Sequence, residues 1–141
     1  MTWTEHTLGA LKDAGFRSGG ARTAVVELLG RQRCCATAQE IHAETRRAGR
    51  PVGIASVYRV LELLSELGLV QRVDVGDQAA RYEPALPGGD HHHHVVCADC
   101  GKVEAWQDEG LERAVDRVAG RVGYRIAAHD VVLRGLCVDC R

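Results

Sequence analysis

The sequence has few aromatic residues and no long apolar segment. Its 141 residues include two tryptophans, three tyrosines and one phenylalanine, which excludes a core built mainly from large aromatic rings. No apolar stretch reaches the roughly 18 residues that a transmembrane helix requires, so no membrane partner is expected. The first residues also lack a basic segment followed by an apolar one, so no secretory signal is predicted.

Cysteine, by contrast, occurs six times in a chain for which no secretory signal is predicted. In a reducing compartment, closely spaced cysteine pairs serve as metal ligands more often than as disulfides. We therefore expect a cytoplasmic protein in which paired cysteines bind metal.

The net charge of −1 conceals an uneven distribution of charged residues. Residues 1–60 carry nine basic and five acidic side chains, so the rest of the chain is net acidic. A basic N-terminal part is typical of a surface that faces nucleic acid, and an acidic C-terminal part of one that binds cations. On charge alone, a chance imbalance is the alternative.

The first 83 residues show the element order of a winged helix-turn-helix. Apolar periodicity predicts helices near 4–14, 21–30, 37–48 and 54–67. Thr37 and Glu40 have the spacing of a capping box, which favours a helix start there. Two strand candidates follow, 69–75 and 78–83, separated by a glycine-aspartate turn.

Segment 84–90, which is rich in proline and glycine, predicts a hinge between a domain at 1–83 and another at 91–141. In the second domain we expect strands around 95–96 and 102–106, a helix at 109–122 and a strand at 124–136. The predicted fold class is α+β, with an N-terminal winged helix-turn-helix domain and a small C-terminal α/β domain.

Two CxxC pairs lie in the C-terminal domain, Cys97 with Cys100 and Cys137 with Cys140. Each pair can place two thiolates on one ion, and together they complete a tetrahedral zinc site. Thiolates are soft donors that select zinc over magnesium, calcium or manganese. One ion would then hold both ends of the domain together. Two disulfides or four unliganded thiols are the alternative.

Four consecutive histidines, His91 to His94, precede the first CxxC pair. Alternate side chains of an extended segment point to opposite faces, so His91 and His93 would face one way and His92 and His94 the other. One run could thus supply two metal sites, whereas a solvated polar loop is the alternative. Further candidate ligands, each of which also has an ordinary structural interpretation, are Cys35, Glu83, Glu112 and His129.

Several motifs, taken in this order, resemble the ferric uptake regulator (Fur) superfamily. They are Val52-Gly-Ile-Ala-Ser-Val-Tyr-Arg-Val-Leu61, Arg81-Tyr-Glu83, His91-His-His-His-x-x-Cys-x-x-Cys-Gly101 and Cys137-x-x-Cys140. The resemblance covers nearly the whole chain. It implies a homodimeric, metal-dependent transcriptional repressor that binds palindromic double-stranded operator DNA and uses its C-terminal domain for dimerisation.

The resemblance also implies three metal sites. A structural zinc would be held by Cys97, Cys100, Cys137 and Cys140. A regulatory ion between the domains would be bound by Cys35, Glu83, His92 and His94. A further site would be formed by His91, His93, Glu112 and His129. In the DNA-binding domain, helix 54–67 would be the recognition helix, and the expected contacts with DNA are Arg17, Arg22, Ser56, Tyr58 and Arg59.

The regulatory metal is expected to be zinc, with iron(II) as the alternative. Cys35 stands where iron-sensing members commonly have histidine, and a thiolate favours the softer ion. Zinc-sensing members from high-GC bacteria, however, often place a cysteine shortly before the histidine run and an aspartate at the position of Gln71. Peroxide sensing is less favoured, because that branch usually has aspartate in place of Glu83.

An enzyme is not expected. The sequence contains neither the HExxH motif of zinc metalloproteases nor the complete signature of the zinc deaminases. A metal-buffering protein is the other rival class, but such a protein would not need helices at 37–48 and 54–67 in helix-turn-helix order. A metal-responsive regulator is therefore the hypothesis that the residues favour.

Overall fold

The computed structural model describes residues 1–17, 19–32, 34–86 and 91–141. The chain divides into two compact units, Met1–Asp90 and His91–Arg141. Each unit combines helical segments with its own three-stranded sheet, which confirms the predicted α+β class. Among the residues described, no helix combines the length and the apolar character needed to cross a membrane.

The N-terminal unit consists of four helices and a small antiparallel sheet. Its elements are α1 (Trp3–Asp13), α2 (Gly20–Arg31), β1 (Ala36–Thr37), α3 (Ala38–Arg47), α4 (Ile54–Glu66), β2 (Val70–Val73) and β3 (Arg81–Pro84). The strand order is β1-β3-β2, with both neighbouring pairs antiparallel. Helices α3 and α4 form the helix-turn-helix, and the hairpin of β2 and β3 forms the wing.

Side chains of α3 determine where α3 begins and how the turn before α4 runs. Thr37 and Glu40 form a reciprocal capping box, which confirms the predicted start of this helix. In the turn, the backbone N–H of Val52 donates to Thr45 Oγ1 at 3.3 Å, and His42 Nδ1 lies 2.7 Å from the Val52 carbonyl oxygen. These contacts fix the chain just before α4 begins.

The core of this unit is aliphatic and continuous. Helix α4 buries Val57, Val60, Leu61 and Leu64, a spacing that places all four on one face of the helix. The buried indole of Trp3 completes the core, and its N–H donates to the Leu69 carbonyl oxygen at 2.9 Å. The opposite face of α4 therefore remains available to solvent or to a partner.

The C-terminal unit contains β4 (His93–Cys97), β5 (Val103–Trp106), α5 (Glu109–Val122) and β6 (Val132–Gly135). The strand order is β5-β4-β6, in which β4 pairs antiparallel with β5 and parallel with β6. Because a parallel pair needs a crossover, α5 carries the chain back so that β4 and β6 end at the same edge of the sheet. No residue of α5 is buried.

Several strand predictions need correction. The two-residue strand β1 was not expected, because so short a segment has no periodic signal of its own. The strand predicted at 78–83 begins only at Arg81. It extends to Pro84, a residue that the sequence analysis assigns to the hinge. The strand predicted at 124–136 is confined to β6. Within the predicted hinge, residues 87–90 lie outside the described part of the chain.

Candidate metal centres

The two CxxC turns meet at one edge of the C-terminal sheet. Cys97 ends β4 and is in register with Gly135 at the end of the parallel strand β6, two residues before Cys137. The Sγ atoms of all four predicted zinc ligands, Cys97, Cys100, Cys137 and Cys140, lie within 4.8 Å of one another. The Cys100 and Cys137 sulfurs are 3.8 Å apart, which matches the edge of roughly 3.8 Å of a tetrahedron with Zn–S bonds near 2.3 Å.

Backbone N–H groups favour the thiolate form of Cys97. The amides of Cys137 and Cys100 lie 3.5 Å and 3.4 Å from its Sγ atom, and these contacts lower the pKa of Cys97 to about 6. The nearby Cys137 thiol instead raises the pKa of Cys140 to about 12. Four sulfurs this close cannot all be thiolates without a cation, because like charges repel at such distances. The donor set therefore fits a divalent, thiophilic ion such as zinc.

A second cluster joins three imidazoles to one carboxylate. The ligand atoms of His91, His93, Glu112 and His129 all lie within 4.8 Å of one another. Glu112 bridges two of the rings, with 2.8 Å from Oε1 to His93 Nε2 and 2.7 Å from Oε2 to His129 Nε2. The Nε2 atoms of His91 and His129 are 3.2 Å apart. Mixed nitrogen and oxygen donors of this kind can hold zinc or iron(II).

His93 is held at both ring nitrogens. The backbone N–H of Val131 donates to Nδ1 at 3.2 Å, so Nε2 carries the proton of the neutral ring and donates to Glu112. This hydrogen bond from His93, aided by the nearby His129 and His91, lowers the pKa of Glu112. The two contacts fix the orientation of the His93 ring, with Nε2 directed at the Glu112 carboxylate.

Alternation along the histidine run produces two separate pairs of rings. The ring centroids of His91 and His93 are 4.6 Å apart, and those of His92 and His94 are 5.0 Å apart. His94 is buried, and its backbone N–H donates to the Val131 carbonyl oxygen at 3.2 Å. The run thus presents a second pair of imidazoles, in addition to the pair that contributes to the cluster with Glu112.

In the N-terminal unit, two adjacent thiols lie beside a buried carboxylate. The Sγ atom of Cys34 is 3.4 Å from that of Cys35 and 4.0 Å from Glu83 Oε2. Glu83, only 1% exposed, accepts a hydrogen bond from the Gln71 amide, its register partner on β2. The Cys34 thiol, burial and the Glu83 charge raise the pKa of Cys35.

The structure thus places the Cys34 thiol beside the Glu83 carboxylate, a neighbour that the sequence analysis did not single out, and the assignment of Cys35 as a ligand stays a prediction. The sequence offers no signal that separates these neighbours, because both are cysteines in a segment that belongs to no helix or strand. Gln71 orients Glu83 because the two are cross-strand partners in the wing, and the sequence does not give that register.

Three predicted DNA contacts lie on α4, away from the core. The Tyr58 side chain is 48% exposed, and the Arg59 guanidinium extends back along the helix to donate from Nη2 to Ser56 Oγ at 2.9 Å. Val57 and Leu61 occupy the buried face, so Tyr58 is not part of the core. The polar face of α4 can therefore meet a ligand without disturbing the core.

Of the remaining two candidates, Arg22 lies in the first turn of α2 and Arg17 precedes that helix. The Arg22 guanidinium stacks on the Phe16 ring, 5.3 Å from its centroid, and donates to the Arg17 carbonyl oxygen at 3.2 Å. Arg17 itself is exposed. These two contacts hold Arg22 in a defined position, which suits a residue that contacts a DNA phosphate.

Comparison with known proteins identifies the family. The model of the ferric uptake regulator family matches residues 13–134. The ferric uptake regulation protein of Neisseria gonorrhoeae is 33% identical over 135 residues, which cover 95% of this chain and 92% of that protein. The Vibrio cholerae ferric uptake regulator has a TM-score of 0.80 at 31% identity, covering 92% of this chain and 98% of that one. For the Helicobacter pylori regulator, the TM-score is 0.82 at 26% identity, with 98% and 91% covered. These matches confirm the resemblance that the motifs indicate, and the chain belongs to the ferric uptake regulator family.

Proposed function

We propose that this protein is a metal-dependent transcriptional repressor that binds palindromic operator DNA as a dimer when its regulatory site holds zinc. The observation that carries the proposal is the combination, in one chain, of a helix-turn-helix unit and a unit with two preassembled metal-donor sets. Membership of the ferric uptake regulator family supports control of metal-uptake genes as the output.

We assign three metal roles to the chain. The Helicobacter pylori regulator has three functional metal binding sites, and the same number is proposed here. The four-cysteine set would hold a permanent structural zinc, since an all-thiolate tetrahedron binds that ion tightly. The cluster of His91, His93, Glu112 and His129 would hold a more exchangeable ion, because imidazole and carboxylate donors are less selective for zinc than four thiolates are.

The regulatory ion would be bound by Glu83, His92, His94 and a thiolate from the pair formed by Cys34 and Cys35. Glu83 is buried and held by Gln71, and a thiol lies within 4.0 Å of it, which supports a role as ligand rather than as surface charge. The proposed ligands belong to both units. An ion that binds all of them therefore stabilises one arrangement of the units over the others, and only such differential binding can shift the equilibrium.

Zinc is the proposed regulatory metal because a thiolate in the ligand set favours a soft ion. The second candidate function is an iron(II)-responsive regulator with the same DNA output. The ferric uptake regulators among its relatives favour that candidate, since they are similar to this chain over nearly its whole length. The two candidates differ only in which ion completes the site.

Dimer formation would use the C-terminal unit. Helix α5 is amphipathic, yet none of its residues is buried within the chain. Large apolar side chains of this unit are exposed, namely Val118, Val122, Tyr124, Ile126, Leu133, Leu136 and Val138. A second copy of the chain would cover such a surface, as monomeric proteins rarely leave large apolar patches exposed.

DNA recognition would use α4 in the major groove. Tyr58 can contact a thymine methyl or a phosphate, and Arg59 can contact a guanine edge or a phosphate. Ser56 lies one helical turn before Arg59 on the same face, while Arg17 and Arg22 would contact the backbone. A symmetric dimer presents two such helices, which is why a palindromic operator is proposed.

The deciding experiment is anaerobic operator binding with buffered free zinc, iron(II) and manganese(II). The probe is the DNA upstream of the protein's own gene, and the structural zinc is left in place. Binding promoted by zinc at far lower free concentrations than iron(II) supports the zinc proposal, and the reverse order supports the iron candidate. If no metal promotes binding to that DNA or to fragments selected from the genome, the repressor proposal is wrong.

A pair of variants localises the DNA contact. Arg59→Ala should weaken operator binding about tenfold or more without loss of zinc, because one charged contact with a base or phosphate is removed. Arg113→Ala, at an exposed position on α5, is the matched control and should leave operator affinity unchanged. Equal affinities in a gel-shift titration would remove Arg59 from the proposed interface.

A further inference from the structure

Cys34 and Cys35 have side chains on the same side of the chain, which consecutive residues of an extended segment do not. The chain bends at Cys34, and the two Sγ atoms come within 3.4 Å of each other. Both cysteines are half-buried rather than enclosed in the core, so a small solute can reach them. Neither belongs to the four-cysteine cluster of the C-terminal unit.

We propose that this thiol pair is a modification site, which a peroxide oxidises to a disulfide between neighbouring residues and thereby disconnects from the regulatory metal. One cysteine loses its proton and attacks an oxygen of hydrogen peroxide, the O–O bond breaks, and the products are a sulfenic acid and one water, which carries the released proton. The second thiol attacks that sulfur, so the S–S bond forms and a second water leaves. Two thiols and one peroxide thus yield one disulfide and two waters.

The geometry requires only a small movement for this reaction. The two sulfurs must approach from 3.4 Å to the disulfide length of about 2.05 Å. Consecutive Cα atoms are about 3.8 Å apart, whereas ordinary disulfides join Cα atoms at roughly 4.4–6.8 Å. The resulting ring is therefore strained, and strained disulfides are readily reduced again. Oxidation at this position is expected to be reversible.

The consequence rests on the proposed function. The Cys34 sulfur lies 4.0 Å from Glu83 Oε2, so the pair borders the carboxylate that we assign to the regulatory ion. A disulfide sulfur is a far poorer metal ligand than a thiolate, because the thiolate is the form that binds metal. Oxidation would therefore lower the affinity of the regulatory site and release the operator, while the structural zinc stays bound to the other four cysteines.

The test uses the full-length dimer loaded with structural zinc and treated with hydrogen peroxide in steps from one molar equivalent. Remaining thiols are alkylated, and the mass of the tryptic peptide that begins at Cys34 and ends at Arg46 is measured by mass spectrometry. We expect this peptide to lose two mass units and take up no alkylating agent, and to regain both thiols after a dithiol reductant. In Cys34→Ser and Cys35→Ser, the loss of two mass units should be absent. Zinc release is followed in parallel with a colorimetric chelator.

Regulatory zinc binding is measured on the same oxidised sample by competition with a chelator, and operator affinity by gel shift. We expect both to fall at least tenfold and to recover on reduction. Oxidation of the zinc cysteines before this peptide, or unchanged zinc affinity in a sample with the disulfide formed, would overturn the proposal. A reduced protein that binds no operator would instead count against the proposed function, since the mass shift and the zinc competition need no DNA.

Discussion

The two units of this protein are stabilised in different ways. In the N-terminal unit, aliphatic residues from α1 to β2 form one continuous buried cluster. In the described part of the C-terminal unit, only Val96 and Cys97 are buried hydrophobic residues, and α5 buries none. The C-terminal unit instead brings its ionisable side chains together in two dense clusters.

This difference shows how a unit of about 50 residues can fold with hardly any hydrophobic core. Domains of that size bury too small a share of their surface for hydrophobic burial alone to stabilise them well. In the proposed function, metal ligation and the covering of apolar side chains by a second copy would supply the stability that is missing. The N-terminal unit should therefore unfold independently of metal, and the C-terminal unit should not.

The largest expected effect comes from removal of the proposed structural zinc. Cys97→Ser should abolish the cooperative unfolding transition of the C-terminal unit, because a structural zinc contributes roughly 10–16 kcal/mol in small domains. The N-terminal transition should keep its midpoint. Trp106 reports the first transition in a Trp3→Phe background, and Trp3 reports the second in a Trp106→Phe background, since each unit contains one tryptophan.

Cys34→Ser is the control for that experiment, as this cysteine lies outside the four-sulfur set. It should leave the zinc of the four-cysteine set and the Trp106 transition unchanged, whatever its effect on the regulatory ion. A cooperative Trp106 transition in metal-free Cys97→Ser would show that the C-terminal unit has a sufficient core of its own, and the comparison of the two units would no longer hold.

The next effect in size concerns the aliphatic core. Leu61 is 1% exposed, so Leu61→Ala should lower the free energy of unfolding of the N-terminal unit by about 2–5 kcal/mol. Leu67, which is 40% exposed on the same segment, is the control, and Leu67→Ala should cost less than about 1 kcal/mol. Urea titrations followed at Trp3 measure both changes. If Leu61→Ala shifted the Trp106 transition equally, the two units would not be independent.

A third prediction addresses the apolar surface of the C-terminal unit. Val122 is 52% exposed in the single chain, and Val122→Asp would place a charge in the proposed dimer interface. We expect the dissociation constant of the dimer to rise roughly 30-fold or more, as for a residue at the centre of an interface. Sedimentation equilibrium of the zinc-loaded protein measures the shift. Arg113→Asp, at an exposed position on α5, should have little effect, and equal effects would place the interface elsewhere.

The smallest effect is expected at the wing. Arg81 donates to Asp77, which lowers the pKa of that carboxyl below its usual value of 3.8. Because the folded pKa is lowered, the pair stabilises fully above pH 3.8, and the contribution disappears as the pH falls through the lowered value. Asp77 is 37% exposed, so Asp77→Asn should lower the free energy of unfolding by less than about 1 kcal/mol at pH 7. At low pH it should leave that free energy unchanged.

Unfolding midpoints followed at Trp3 between pH 7 and pH 2 test this prediction. The difference between wild type and Asp77→Asn should shrink on acidification. Asp13→Asn, at an exposed aspartate of the same unit, serves as the control. A difference that grows as the pH falls would mean that the Asp77 carboxyl is destabilised rather than stabilised by its surroundings.

Local signals in the sequence were sufficient for most of the secondary structure. The capping box of Thr37 and Glu40 starts α3, as predicted, because capping depends on residues three apart in the chain. The stripe on α4 is buried for the same reason, since helical periodicity brings its members to one face. The errors fall on β1 and on both ends of the later strands, where pairing with distant residues decides the length.

For the candidate sites too, features that depend on local spacing could be predicted and those that depend on distant residues could not. The two CxxC pairs and the alternation of the histidines could be read from spacing alone. Which thiol lies beside Glu83 could not be predicted, because Cys34 and Cys35 are chemically identical neighbours and Glu83 is 49 residues from Cys34. The position of Gln71 on Glu83 likewise depends on the register of the wing.

The sequence by itself determined which side chains are available as metal ligands, which segments with strong periodicity form helices, and the family. The tertiary structure alone decided which donors meet. His129 is 38 residues from His91, and Cys137 is 37 residues from Cys100, so no local rule brings either pair together. The parallel pairing of β4 with β6 does so, because it places the segments that flank both strands at the same two ends of one sheet. Short-range chemistry thus supplied the ligands, and a long-range strand register assembled them.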